Sequence, residues 1–328
     1  MFSFLKPRRK APLPPPQDKR LHRIIGPTMG TEFRVTFAAP DLDETALDET
    51  DLAGRLFRAV DAVDQAMSTW KPASALSQFN RAPLNDWVAV PADLARVVAA
   101  GLGVSAASQG AFDMTLGLAV NAWGFGPDPV ARLPDGPQPL GQYRALSTRL
   151  DPPALRKSAA FLLDLSGIAK GFGTDALARV LETEGITDYL VEIDGELRAR
   201  GRKPGLDGLW TVAVDAPVRD RHEAWDVVTL KDCALATSGD YRHFIETEGK
   251  FYAHTIDGRT GWPARHALAA VTVRHESCML ADAWASALLV LGPSDGPAVA
   301  EAQNLAALFL IRDGGEITEK RSSRFAQA

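Results

Sequence analysis

The sequence predicts an α+β fold, with mixed sheets packed against helices. Three features carry that expectation. Strand-like runs arrive in neighbouring pairs, as in "DYLVEID" and "ELRARG". Helical periodicity is confined to a few long segments. The two patterns do not alternate as a regular βαβ array requires, and no internal repeat is present.

In chain order, "TEFRVTFAA" alternates apolar and polar residues like a half-buried strand. "LDETDLAGRLFRAVDAVDQAMSTW" then places Leu52, Leu56, Val60, Val63 and Met67 at helical spacing. "PADLARVVAAGLGVSAASQG" reads as a second helix, with Pro91 near its start and Gly110 past its end. "GAFDMTLG" is a tight turn around an apolar run. The proline- and glycine-rich stretch between Gly124 and Pro153 predicts irregular surface chain. "FLLDL" predicts a strand that ends at Gly167 and leads into a helix. "LWTVAVDAP" and "HALAAVTVRHES" read as strands, and "VVTLKDCALATSGD" as one further strand turning at Ser238 and Gly239. "MLADAWASALLVLG" is an amphipathic to buried helix. "EAQNLAALFLIRDGGEITEK" reads as helix, strand, turn and strand.

The chain has 328 residues, 46% hydrophobic and 23% charged, with a formal net charge of -5. This composition suits a globular enzyme. An acidic balance argues against nucleic acid as the main partner, because no basic surplus exists to displace counterions from phosphates. Cys233 and Cys278 lie far apart without metal-ligand spacing, so neither a disulfide framework nor a thiolate zinc site is expected. Residues 1–23 read as a disordered basic and proline-rich arm, followed by one folded domain over 24–328. The arm lacks the apolar region of a secretory signal. No apolar run is long enough to span a membrane. The chain as given reads as cytoplasmic; a start lying further upstream would instead permit a periplasmic location.

The stretch "LLDLSGIAKGFGTDALARVLE" has the layout of a phosphate cradle: apolar run, glycine turn, lysine, helix. It matches neither the Walker loop nor the dinucleotide fingerprint. Backbone N–H groups at a helix start, together with Lys170, favour an anion. Asp164 beside them fits a ligand that brings hydrogen-bond donors or a divalent metal. An ordinary helix start with a surface lysine fits the stretch equally well. Asp282 and Ser286, four residues apart in an apolar helix, share one face. A lone buried carboxylate is costly unless paired or metal-bound, and hard oxygen donors suit Mg²⁺. A helix-start aspartate with a back-bonding serine accounts for the pair as well. His254 in "YAHTIDGRTGWP" is either a general base or a structural histidine. Trp70 and the aromatic of "TSGDYRHF" offer flat faces for a ring ligand.

Seven segments together resemble the ApbE family of FAD:protein FMN transferases, in that family's order: "GPTMGTEFRV", "MSTWKPASALSQFN", "GAFDMTLGLAVNAWGFGP", "DLSGIAKGFGTD", "TSGDYRHF", "YAHTIDGRTG" and "MLADAWASALLVLG". They run from Gly26 to about Gly292. The resemblance implies an ApbE-like, T-fold-related architecture with FAD in a cleft between two halves. It implies Mg²⁺-dependent transfer of the FMN half of FAD to a threonine or serine hydroxyl of a target flavoprotein, with release of AMP. A respiratory or redox-complex subunit is the implied target, and hydrolysis of FAD to FMN and AMP is the alternative reaction.

Carried over by position, Met29, Trp70, Ala111, Phe112, Asp113, Asp164 and Lys170 match FAD contacts, and Ile256 matches an adenosine-side contact. Gly167 through its carbonyl, Asp282 and Ser286 match the metal ligands. His254 matches the general base, and Lys170 has a second, catalytic assignment. Many members have tyrosine where Trp70 stands and threonine where Ser286 stands; the aromatic platform and the ligand oxygen are kept. Gly258 replaces a proline, which implies a looser loop behind His254. Asp194 replaces the first glycine of a Gly-Gly turn and tolerates that position if φ is positive. Many members are exported lipoproteins with an N-terminal cysteine, which this chain lacks.

Overall fold

The computed structural model describes residues 19–40, 48–128, 136, 138–205, 208–218, 223–242, 244–247 and 249–327. Strands β1 (Arg20–Thr28) and β2 (Thr31–Ala39) form a hairpin. Among the described residues, strand structure therefore already includes Arg20, ahead of the expected Ile24, because Arg20 to Arg23 pair through their backbones with Thr36 to Ala39. Their largely exposed side chains gave no apolar signal. The rest of the expected arm, residues 1–18, lies outside the described residues.

Helix α1 (Glu49–Met67) is capped by Asp48, whose carboxylate accepts from the Thr50 and Asp51 N–H groups. Its periodic residues Leu52, Leu56, Val60, Val63 and Met67 are all buried. Next come α2 (Ala75–Arg81), β3 (Val88–Ala89), α3 (Ala92–Ala107) and α4 (Gly117–Ala122). Strands β4 (Leu146–Leu150) and β5 (Pro153–Lys157) follow, and β5 lies between β3 and β4 in a three-stranded sheet. The stretch read as irregular between Gly124 and Pro153 thus ends in a strand, because Leu146 finds a buried place beside its partner strand. Residues 129–135 and 137 lie outside the described residues.

"FLLDL" is not a ladder strand. Only Leu162 makes an isolated bridge, to Leu116, and the neighbouring backbone groups bond elsewhere. Leu163 donates to and accepts from the Asn80 side chain (2.7 and 2.9 Å), and the Asp164 N–H donates to the Met114 carbonyl (2.7 Å). After it comes α5 (Ala169–Thr183), then β6 (Tyr189–Ile193) and β7 (Glu196–Arg200). Strands β8 (Trp210–Asp215) and β9 (Ala224–Leu230) form a two-stranded ribbon, and β10 (Cys233–Gly239) follows. The single strand expected in "VVTLKDCALATSGD" is therefore two. The chain turns at Asp232, where φ is +48°, and passes from the ribbon into the main sheet.

A second ribbon, β11 (Phe244–Thr247) and β12 (Lys250–Ala253), leads to β13 (Leu268–His275), α6 (Cys278–Ala302), β14 (Ala306–Asp313), β15 (Glu316–Arg321) and α7 (Ser323–Ala326). Helix α6 kinks at Gly292 (φ +77°), just before Pro293. Among the described residues no helix is long and apolar enough to cross a membrane.

The main sheet has the order β1-β2-β6-β7-β10-β13-β14-β15, and each of its ladders is antiparallel. The fold is α+β: the mixture is of sheets with helices rather than of strand directions. Phe33, Val35 and Phe37 alternate into the core with α1 and α5, each burial contributing about 1.5–3 kcal/mol. A larger core joins α3, α5 and α6 to β13 and β14. On the other face of the sheet, Leu197, Leu235 and Leu308 pack with Trp210 and Val228 of the β8–β9 ribbon.

Helices α5 and α6 meet at very close range. A Cβ on Gly171 would lie 2.4 Å from the Cys278 carbonyl oxygen, so only glycine fits there. Asp175, one turn further along α5, caps α6. Its carboxylate accepts from the Cys278 and Met279 N–H groups (both 3.1 Å) and the Ser277 hydroxyl (2.8 Å), and pairs with Arg198 (2.7 Å). This junction fixes the position of Asp282 and Ser286 on α6 relative to α5.

Candidate active site

Two cavities adjoin at one end of the main sheet. The larger, about 400 Å³, is lined by Met29 and Gly30 of the β1–β2 turn, the C-terminal part of α1, Trp70, Leu165, Ser166, Ala169 and Lys170. The second, about 150 Å³, gathers Ala111 to Met114, Asp164, Gly167, Asp194, Glu196, Ser238, His254, Ile256, Asp282 and Ser286. Ser166 and Lys170 line both. Every residue matched by position to an FAD contact, a metal ligand or the general base thus borders one of the two cavities.

The supporting turns are strained where they meet the site. Met29 has φ +46° and Asp194 has φ +51°, each followed by a glycine at positive φ. Two consecutive positive φ values suit a tight hairpin, and aspartate is among the residues that tolerate this region. Asp194 therefore replaces glycine without breaking the β6–β7 turn.

Trp70 is 66% exposed and presents its ring to the larger cavity. In the second cavity Asp282 is only 4% exposed, and one of its oxygens accepts from the Gly171 N–H at 3.0 Å. Burial pushes its pKa up to about 6, against the attraction of Lys170 and the Gly171 N–H. One turn along α6, the Ser286 hydroxyl lies 3.0 Å from that of Ser238. Gly167 faces the same hydroxyl: a Cβ there would stand 3.2 Å from it. The carbonyl, carboxylate and hydroxyl expected to act together are thus carried by neighbouring residues.

Lys170 is pinned by Asp194 (2.9 Å) and Glu196 (3.2 Å). Burial opposes its charge, but Glu196, Asp282 and Asp194 outweigh burial and raise its pKa above the ordinary lysine value. Glu196 is 4% exposed, and its second oxygen has no hydrogen-bond partner. Burial pushes this carboxyl up to about 8, with Lys170 offsetting only part of the effect. The pattern reading missed Glu196, Asp194 as a lysine partner, Ser238 as a site residue, and Arg242. The "IDGEL" turn held the available signal: a two-residue hairpin that sets a carboxylate on each side of Gly195.

Several expected contacts have work within the chain. Asp113 accepts from the Thr115 N–H (2.8 Å) and hydroxyl (2.7 Å) and from the Tyr143 N–H (3.0 Å). Burial raises its pKa, and those hydrogen bonds oppose the rise. Asp164 accepts from the Ser166 N–H (2.8 Å). Ala111 and Phe112 are buried, and Ile256 packs with Leu116 and Trp123. His254 stands near the edge of Phe125, with ring centroids 6.4 Å apart. The loop behind it is tighter than a glycine replacing proline implied. A Cβ on Gly258 would come 2.4 Å from the Gly110 carbonyl oxygen, and Asp257 holds Arg259 through two oxygens at 2.8 and 2.9 Å. Tyr241, of the "TSGDYRHF" segment, lines a different cavity, beneath the β8–β9 ribbon.

The family model described as the ApbE family matches residues 29–309. The chain belongs to the ApbE family. A curated relative named FAD:protein FMN transferase, from Vibrio cholerae serotype O1, is 35% identical over 309 residues, spanning 92% of this chain and 91% of that relative. The solved structure of the flavin transferase ApbE from Vibrio cholerae superposes with a TM-score of 0.82 at 34% identity, covering 94% of this chain and 99% of the other. The apo flavinyl transferase ApbE of Pseudomonas stutzeri gives a TM-score of 0.83 at 36% identity, covering 94% and 96%. The cavities, the Gly171 junction and the Asp194 turn are therefore features of an ApbE-family fold as built by this chain.

Proposed function

We propose that this protein is an FAD:protein FMN transferase that moves the FMN half of FAD onto a threonine or serine hydroxyl of a target flavoprotein, with AMP leaving. The observation that carries the reading is the pair of adjoining cavities. One offers an exposed indole face for a flat ring. The other gathers oxygen donors and a lysine suited to a pyrophosphate. Lys170 and Ser166 stand at their junction, where a dinucleotide's phosphates sit when its two ends lie on either side.

Charge supports a cation requirement. The second cavity is lined by the carboxyl groups of Asp113, Asp164, Asp194, Glu196 and Asp282 against the permanent cations Lys170 and Arg242, so acidic groups outnumber cations even with Glu196 protonated. A pyrophosphate dianion is repelled there unless further positive charge accompanies it. One buried Glu196 oxygen without a hydrogen-bond partner lines the same cavity. Among the described residues no group of three or more His, Cys, Asp or Glu forms a metal site. The proposed set needs only one carboxylate: Asp282, with the Ser286 hydroxyl and the Gly167 carbonyl. Hard oxygen donors of this kind, which leave positions for water and phosphate, fit Mg²⁺. When bound there, Mg²⁺ supplies positive charge against the phosphates and the departing AMP.

The chain's own groups do the rest. The acceptor hydroxyl oxygen bonds to the phosphorus of the FMN half as the P–O bond to AMP breaks. His254 takes the hydroxyl proton. Lys170, kept protonated by its three carboxylates, orients the phosphates. Trp70 and Met29 hold the ring end. Positioning and charge dominate, since phosphoryl transfer asks little covalent chemistry of the protein.

The test is incubation with FAD and Mg²⁺, alone and after co-expression with candidate redox-complex subunits. AMP release together with a covalent FMN adduct on a subunit, read by mass spectrometry, is the expected result. AMP and free FMN without any adduct would assign the FAD-hydrolysing alternative.

A further inference from the structure

Between residues 161 and 167 the chain serves both cavities while lying outside the sheet ladders. Leu165 and Ser166 line the larger cavity, and Asp164, Ser166 and Gly167 line the second. On one side this stretch bonds to backbone. The Asp164 N–H donates to the Met114 carbonyl (2.7 Å), and the Leu162 carbonyl accepts from the Gly117 N–H (2.9 Å). The backbone groups of Leu163 point the other way, as alternate residues of an extended chain do. There a single side chain takes the place of a strand. Asn80 Oδ1 accepts from the Leu163 N–H at 2.7 Å, and Asn80 Nδ2 donates to the Leu163 carbonyl at 2.9 Å. A residue of an antiparallel ladder exchanges the same pair of bonds with its partner. The amide is itself anchored. Asn80 stands in the last turn of α2, and its backbone carbonyl accepts from Lys157 Nζ at 2.6 Å. Lys157 is buried, and burial lowers its pKa. At the other end of α2 the Ser74 and Ser77 hydroxyls donate to the Ser68 carbonyl (2.6 and 3.3 Å), and the Ser68 hydroxyl accepts from the Trp70 N–H (3.2 Å). Helix α2 thus joins the tryptophan turn of one cavity to the glycine segment of the other.

We propose that Asn80 is a positioning residue for the transfer: its amide sets where residues 164–167 stand between the two cavities, and so where the Gly167 carbonyl meets Asp282 and Ser286. The proposal rests on the transferase reading, in which those three groups act together. Asn80 lines neither cavity, so it acts through the backbone it grips. Asparagine suits the task because its amide carries a donor and an acceptor side by side. Aspartate would keep the acceptor alone, and alanine would keep neither. Leu163 is fully buried, so water does not readily replace a lost bond there. A segment released on that side can shift, and a misplacement of about 1 Å costs roughly a hundredfold in rate.

The experiment compares the full wild-type chain with Asn80→Ala, Asn80→Asp and, as a control, Ser322→Ala. Ser322 is buried and lines neither cavity; its hydroxyl donates to the Leu305 carbonyl (2.7 Å) and accepts from the Ala307 N–H (2.9 Å). The readouts are Tm, the Mg²⁺ concentration that half-saturates the Mg²⁺-dependent rise in Tm, and kcat and KM for AMP release from FAD. In Asn80→Ala, kcat should fall and half-saturating Mg²⁺ should rise, each by about 10–100-fold, the usual effect of losing a group that orients a metal ligand. KM for FAD should stay within about twofold, because the ring end keeps Trp70 and Met29. Asn80→Asp, which keeps the bond from the Leu163 N–H, should move the same quantities in the same direction, and it decides the matter if Asn80→Ala does not fold. Ser322→Ala should lower Tm and leave kcat and half-saturating Mg²⁺ at their wild-type values. Wild-type kcat and Mg²⁺ response in the Asn80 variants, or equal losses in Ser322→Ala, overturn the proposal. A wild type that releases no AMP refutes the transferase reading instead, and the Mg²⁺-dependent shift in Tm then still judges Asn80.

Discussion

Asp282→Asn separates what the buried carboxylate does for the fold from what it does for the reaction. The substitution keeps the shape and an oxygen that accepts from the Gly171 N–H, now 3.0 Å away. It removes a charge held 4% exposed between α5 and α6. Burial lifts the carboxyl from the ordinary 3.8 to about 6 even after the attraction of Lys170. The folded state therefore holds this proton more tightly than the unfolded chain does. The ionised form weakens the fold: not at all below about pH 4, progressively between about pH 4 and 6, and fully above. The size follows at roughly 1.4 kcal/mol per pH unit, hence about 3 kcal/mol.

For 328 residues, at about 2.1 cal/mol/K each, the unfolding entropy is about 0.7 kcal/mol/K, so the effect corresponds to about 4 °C. In EDTA at pH 8, Asp282→Asn should thus melt about 4 °C higher than wild type, and at pH 4 the two should converge. Added Mg²⁺ should raise the wild-type Tm at pH 8 and leave the variant unmoved, and FMN transfer should fall at least about a hundredfold. Scanning calorimetry at the two pH values, with and without Mg²⁺, reads the first effects; AMP release reads the last. A variant that melts lower than wild type in EDTA at pH 8, or that responds to Mg²⁺ as wild type does, refutes the reasoning.

Three further outcomes follow from the same geometry. His254→Ala should bind FAD with unchanged affinity, measured by flavin fluorescence, while transfer slows by about 10²–10⁴-fold, the usual range for a lost general base; a weakened FAD Kd would make the residue structural. Trp70→Ala removes an exposed ring that contributes little to the fold, so Tm should hold while the FAD Kd rises by about 5–150-fold, equivalent to about 1–3 kcal/mol of stacking; titration calorimetry decides. Gly171→Ala puts a methyl group 2.4 Å from the Cys278 carbonyl oxygen, and should destabilise the protein by about 1–3 kcal/mol or more while disturbing Asp282 on the facing helix; urea denaturation checks the stability and Mg²⁺-dependent AMP release the site.

Amphipathic helices and alternating strands were legible because their signal is local. The five periodic residues of α1 are all buried, and "HALAAVTVRHES" contains β13. The misreadings share one cause: backbone pairing that side chains do not announce. Arg20 to Arg23 are strand residues whose side chains, Leu21 included, are mostly exposed. β4 follows a stretch rich in proline and glycine. "FLLDL" has strand composition, but its backbone bonds go to Asn80 and Met114. In each case a backbone partner decided the outcome: the next strand of a hairpin for β1 and β4, and residues distant in sequence for "FLLDL".

The same division runs through the site. Asp282 and Ser286 are legible as a pair because a helix puts residues four apart on one face. Their meeting with Gly167 and Lys170 depends on the α5–α6 contact, which rests on one absent Cβ at Gly171 and on Asp175 capping a helix about a hundred residues later. Glu196 was silent for a different reason. A glutamate at the start of a strand is ordinary by composition, and its character comes from complete burial beside Lys170 with one oxygen left unpaired. Such a group is costly in the protein alone. Burial keeps the proton on this carboxyl up to about pH 8, and a cation bound in the second cavity would favour its release.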